Sequence, residues 1–289
     1  MRDFFSALAD PAIPFIRNAF LAGILSSVAF GIIGTHVVVR RISSIAGAIA
    51  HSVLAGIGLS LFLQSRDLLP WLSPLIGAVI SAIASSIIVG FVSIRAGQRE
   101  DTIIGAIWAV GMAIGLLFMA VTPGYIDPMS YLFGNILLIS RSDLLLIAVL
   151  DLIIVATCIV FFHQFQGSAY DEEFAKARGL HNSLYFILLL MLVAVTVVLM
   201  VSIVGIVMVI ALLTLPAAVA SIFSRNLWQM MVFSSIFTII FTSVGMATSY
   251  SLDLPSGSMI IVVAGAVYLL AIVARWCFNS IQRRLSSRP

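Results

Sequence analysis

Charge is what this chain has least of: 9% of its 289 residues are Asp, Glu, Lys or Arg, against 62% hydrophobic. A soluble domain carries about 25% charged residues, so an ordinary water-facing globule is excluded and a polytopic membrane protein is the class. Lysine is scarcer still. The one lysine, Lys176, is followed by Ala177 and Arg178. That leaves no GxxxxGK[ST] phosphate loop, and this chain does not hydrolyse ATP by that route. Two cysteines, Cys158 and Cys277, stand far apart in apolar segments. They make neither a disulfide framework nor a metal-finger spacing. There is no HExxH, no paired-cysteine motif and no Ser, His and Asp set in water-accessible segments. The opening Met1-Arg2-Asp3-Phe4-Phe5 runs into Asp10, Pro11 and Pro14, without the apolar core of a cleavable signal peptide. The net charge of +3 needs no nucleic acid to explain it, because membrane proteins keep Lys and Arg in cytoplasmic loops.

What is present is a series of apolar runs about 20 residues long, the length that crosses a bilayer as a helix. They fall at 15–39, 42–63, 74–94, 102–121, 144–162, 184–202, 203–223, 227–249 and 259–278. The expected fold is an all-α polytopic membrane protein of eight or nine transmembrane helices. The pair 184–202 and 203–223 has to turn within Ser202 to Gly205, unless a broken or shortened helix lies there. Orientation follows from the basic residues. Arg40, Arg41, Arg95, Arg99, Lys176, Arg178, Arg225, Arg275, Arg283, Arg284 and Arg288 fall on one side, eleven of the fifteen. That side is the cytoplasm by the positive-inside rule, and it includes the tail at 279–289. The N-terminus is external with nine spans and internal with eight.

Two connections carry more than a turn. Thr122 to Asp143 contains a short apolar piece, Met129 to Ile139, suited to a re-entrant or interfacial helix on the outer side. His163 to Ser183 is the longest cytoplasmic connection. Within it, acidic Asp171, Glu172 and Glu173 precede Phe174, Ala175, Lys176, Ala177 and Arg178, and Gly179 follows. That order suits a short helix with charges matching its dipole and a glycine cap. It is either a docking surface or a solvated connector.

The candidate site lies in the second run. His51 stands ten residues beyond Arg41, ~15 Å along a helix axis. That is near the midplane of a hydrocarbon core roughly 30 Å thick. A titratable ring at that depth is a functional candidate by default. Neutral imidazole is a borderline ligand suited to zinc, manganese or iron. Small residues cluster beside it (Ala46, Gly47, Ala50, Ala55, Gly56, Gly58), Gly111 and Gly115 form a small-xxx-small pair, and Pro216 interrupts a later span. Asp151 is a carboxylate inside the run 144–162. His36 stands four residues before Arg40.

Four blocks in matching order resemble the permease family of ABC importers for zinc, manganese and iron ions. They are Gly34–Ser43 continuing to Ala50–Gly56, then Met129–Leu137, then Val204–Leu213 with Pro216-Ala217-Ala218, and Asp253–Gly257. The resemblance covers about 14–271. It implies a single permease domain over 1–289, working as a homodimer in the inner membrane of a prokaryote. It also implies separate ATPase subunits carrying ATP, an extracytoplasmic metal-binding protein, and no cofactor resident in this subunit. Residues 170–182 are similar to the family's coupling segment, with Glu172, Glu173, Phe174, Ala175, Arg178 and Gly179 as the ATPase contact. Family members commonly carry an Asp one turn before the histidine, and here that position is Gly47. His51 is therefore the expected path ligand, with Asp151 and His36 as candidates for the missing partner. Alternatives are a permease for a metal chelate, or a secondary transporter or channel for divalent cations.

Overall fold

The computed structural model describes residues 14–95, 100–124, 126–133, 140–170 and 181–286, with Phe4, Leu8 and Gly179 besides. These residues form helices and turns, with no strand among them. In order they are α1 (Pro14–Val39), α2 (Ser43–Ser65), α3 (Pro74–Arg95), α4 (Glu100–Val121), α5 (Pro128–Phe133) and α6 (Arg141–Val160). Then come α7 (Phe162–Tyr170), α8 (Asn182–Val204), α9 (Ile206–Phe223), α10 (Leu227–Leu252) and α11 (Ser256–Ser286). Nine of these are long and apolar enough to cross a membrane, at the places the apolar runs mark. An all-helical chain is what hydrocarbon demands, since each helix satisfies its own backbone N–H and C=O groups.

Local chemistry sets the boundaries. Ser140 caps α6 by accepting from the Asp143 N–H at 3.2 Å, while the Asp143 carboxylate accepts from the Ser140 N–H at 2.9 Å. Asn226 caps α10 through the Gln229 N–H at 2.8 Å. The abrupt junction expected near Ser202–Gly205 is one residue, Gly205, which ends α8 and begins α9. Its φ of 82° and ψ of 159° fall in a region essentially reserved for glycine.

Three boundaries differ from the sequence expectation. The cytoplasmic connection is shorter than 163–183, because α7 takes up Phe162–Tyr170. Phe165, one helical turn beyond Phe161, anchors α7 in the core despite the surrounding glutamines. The last helix runs on to Ser286, through most of the segment read as a tail. Of the outer piece Met129–Ile139, Pro128–Phe133 is helical, and its start is tied to Asp127 through the Met129 N–H and the Ser130 hydroxyl. Residues 134–139 lie outside the described set, as do Glu172, Glu173, Phe174, Ala175 and Arg178 of the expected coupling segment. Gly179 is described, in a turn at φ 79°.

Packing places α1, α2 and α8 inside and leaves α4 and α11 mostly open at the periphery. The most extensive interface is α2 against α4, and at its glycines backbone meets backbone. A Cβ on Gly58 would meet the Gly115 Cα at 3.0 Å, and one on Gly111 would meet the Ser52 Cα at 2.8 Å. In lipid, where apolar burial gives helices no reason to associate, such close approach supplies the packing attraction. Gly34 makes a similar approach to the Leu213 carbonyl, one turn before Pro216 in α9.

This geometry makes a paired prediction. Gly58→Val forces α2 from α4 and costs about 1–3 kcal/mol, the usual price of overpacking. Gly105→Val, where nothing lies within 4 Å, is tolerated. Thermal unfolding in detergent checks both, with a lowered midpoint expected for the first variant only.

Candidate functional site

The α2–α4 interface holds His51. Its position follows from the glycine contacts, which fix the axial register of α2 on α4. His51 is 8% exposed. Its ring stacks on the Trp108 indole of α4, with centroids 4.4 Å apart and planes inclined by 28°. Nδ1 lies 2.9 Å from the carbonyl oxygen of Gly47, one turn back on the same helix. A carbonyl can only accept, so Nδ1 carries the proton in the neutral ring, and Nε2 presents its lone pair. This is the division a metal-binding histidine needs: one nitrogen held by a hydrogen bond, the other free to ligate.

Gly47 is the other half of the site. Its nearest side-chain neighbour would be Trp108, whose Cζ3 lies 3.8 Å from a Cβ built there. That is ordinary contact distance, so a side chain could start from this position without displacing backbone. Among the described residues no three His, Cys, Asp or Glu side chains gather into a group able to hold a metal ion. The site is an imidazole and an indole face with small residues around them, and it offers one strong donor.

The two other sequence candidates lie elsewhere in the bundle. Asp151 is 7% exposed and shares an inward stripe of α6 with Ile147, Ile154 and Cys158. Both carboxylate oxygens are buried without a hydrogen-bond partner among the described residues. The most extended contact of α6 is with α1, whereas those of α2 are with α4 and α3. His36 is 0% exposed. Its ring meets the Phe165 ring edge-on at 5.4 Å, and neither nitrogen has a hydrogen-bond partner among the described residues. His163 and His181 are exposed.

Sequence reasoning missed two participants. Trp108 gave no local signal, because it lies 57 positions from His51 and reads as one more aromatic in an apolar run. The second is a polar cluster around the Arg40 guanidinium, with Ser168 and Asn182. Arginine there read only as a marker of membrane side.

The comparisons with known proteins cover nearly the whole chain. The ABC 3 transport family pattern matches residues 12–275. A probable metal transport system membrane protein of Chlamydia trachomatis is 37% identical over 268 residues, 92% of this chain and 91% of that protein. A manganese transport system membrane protein of Listeria monocytogenes is 29% identical over 260 residues, 90% of each chain. Among solved structures, PsaBC from Streptococcus pneumoniae in complex with Fab superposes with a TM-score of 0.82 at 28% identity, covering 93% of this chain and 94% of that one. With a family pattern running from the first span to the last and a relative of this similarity along the same length, the chain belongs to the ABC 3 transport family.

Proposed function

We propose that the chain is the membrane-spanning permease subunit of an ABC importer for a divalent transition-metal ion, with manganese the first ion to test. The observation that carries this reading is end-to-end similarity to a manganese transport system membrane protein, joined to an imidazole held in ligating form in the most buried span. The chain has no phosphate loop of its own. ATP is therefore hydrolysed on separate ATPase subunits, and an extracytoplasmic binding protein delivers the ion. A second copy of the permease completes the assembly, for which α4 and α11 are the spans left most open.

The His51 geometry suits passage rather than storage. A path site has to bind well enough for the ion to enter and weakly enough for it to leave. Nε2 of His51 supplies one neutral donor, the stacked Trp108 indole fixes the plane of the ring, and waters on the ion fill its remaining positions. Among the described residues no group of three His, Cys, Asp or Glu side chains is there to hold the ion. The bound state is consequently short-lived, and alternating access by movement of helices around the midplane can release it. Asp151 and His36 are reserve candidates on the α1–α6–α7 side, with roles independent of His51.

Two outcomes are expected in vesicles holding the complete transporter. His51→Ala lowers ATP-dependent Mn²⁺ uptake by at least about ten-fold, the loss typical when a metal site is disturbed; uptake equal to wild type in an assembled complex would remove His51 from the path. Gly47→Asp places a carboxylate one turn from His51, on the same helix face. The 3.8 Å clearance to Trp108 admits it, and half-saturation by Mn²⁺ falls by on the order of ten-fold as the added charge compensates the cation. An unchanged half-saturation would mean that position 47 does not face the ion.

A further inference from the structure

At the Arg-rich end of the bundle three helices are tied together by one guanidinium. Arg40 directly follows Val39, the last residue of α1, and leads into the α1–α2 corner. Its Nη2 donates to the Ser168 carbonyl at 2.7 Å and to the Ser168 hydroxyl at 2.6 Å. The Ser168 hydroxyl donates in turn to the side-chain oxygen of Asn182. Ser168 is in the last turn of α7 and Asn182 is the first residue of α8. Both are buried. They are therefore the two feet of the 171–181 connection, joined to each other and to a residue 128 positions away in sequence. The guanidinium also lies 5.1 Å from the Phe186 ring centroid, one turn into α8, which adds a cation–π contact.

The other end of this linkage is α2. Arg41 follows at φ 59°, in the left-handed region, and the corner closes through the Ile42 N–H to the Val37 carbonyl at 3.0 Å. The Ala46 N–H then bonds to the Ile42 carbonyl, so the α2 hydrogen-bond ladder starts at the corner itself. Two residues separate Arg40 from that ladder, and His51 lies less than three turns along it. A charge-assisted, two-acceptor hydrogen bond in a low-dielectric surrounding is stiff, and α2 is locked in register on α4 by its glycines. Displacement of the feet of the connection is thus carried to α2 as a body, rather than absorbed in a loop.

We propose that Arg40 is a positioning residue that couples the end of α7 and the start of α8 to the His51 helix. The proposal rests on the functional reading above, in which ATPase subunits act on the cytoplasmic side. It adds which residue transmits their movement. Arg40 touches neither the ion nor ATP; it holds the base of the connection to the α1–α2 corner. Coupling of this kind runs through contiguous hydrogen-bonded and packed elements. Of the side chains described at this end, Arg40 alone donates from the α1–α2 corner to the feet of the connection.

The test uses the complete transporter, with its ATPase subunits, in sealed vesicles, and measures Mn²⁺ uptake and ATP hydrolysis on the same sample. The readout is Mn²⁺ delivered per ATP hydrolysed, which a merely destabilised but assembled complex would not change. Arg40→Gln is expected to lower that ratio by about ten-fold, within the usual range of coupling between sites. Arg40→Lys keeps the charge but not the planar fork, and falls between Gln and wild type. Arg66→Gln, at the opposite end of α2, leaves the ratio unchanged. Should Arg40→Gln fail to assemble, Ser168→Ala removes one leg of the contact and is expected to lower the ratio by a smaller factor. A ratio equal to wild type in whichever of these two assembles overturns the proposal. Wild-type vesicles showing no ATP-dependent uptake would instead overturn the functional reading on which it stands.

Discussion

Backbone contact between α2 and α4 is the constraint on which the rest depends. In hydrocarbon, two helices do not gain by hiding apolar surface from each other, since lipid tails accept that surface equally well. They associate here because Gly58 meets Gly115 and Gly111 meets Ser52 with no side chain between them. That closeness sets the register in which Trp108 falls over the His51 ring. Site geometry and mechanism both start from four small residues whose own chemistry is inert.

The site departs from the pairing that the family resemblance leads one to expect. A carboxylate one turn before the histidine would neutralise part of an incoming dication. Glycine at 47 removes that charge and leaves its carbonyl to orient the ring through Nδ1. The indole of Trp108 lies beside position 47, at ordinary contact distance from a Cβ built there. What remains is one neutral nitrogen on a ring stacked against an indole; under the proposed function this would be a weaker hold that favours release. Buried Asp151 lies on α6, which packs chiefly on α1.

How much was legible in the sequence follows from which forces are local. The nine spans could be read directly, because a bilayer demands about 20 apolar residues per crossing whatever the neighbours are. A tight junction within Ser202–Gly205 was readable for a similar reason, since two full spans met with no room for a loop, but the structure alone identifies Gly205 as the single residue that ends one helix and begins the next. His51 stood out because an imidazole is costly at mid-membrane depth. Helix α7 was not legible, since Gln164 and Gln166 made it look like a solvated loop and its anchor, Phe165, docks on distant helices. Trp108 and the Arg40 cluster were hidden because their partners lie far away in sequence. Glycine spacing shows that helices pack closely, but not which face meets which.

The central claim is that a single neutral imidazole, His51, ligates the transported ion through Nε2. Pulsed electron paramagnetic resonance on Mn²⁺ bound to the assembled transporter tests this most directly, since ¹⁴N coupling counts imidazole ligands at the ion. The account predicts coupling from one imidazole nitrogen per bound ion, and its disappearance in His51→Gln with the protein still folded. Mn²⁺ coordinated by oxygen alone in the wild type, or a nitrogen signal that survives in His51→Gln, would contradict it.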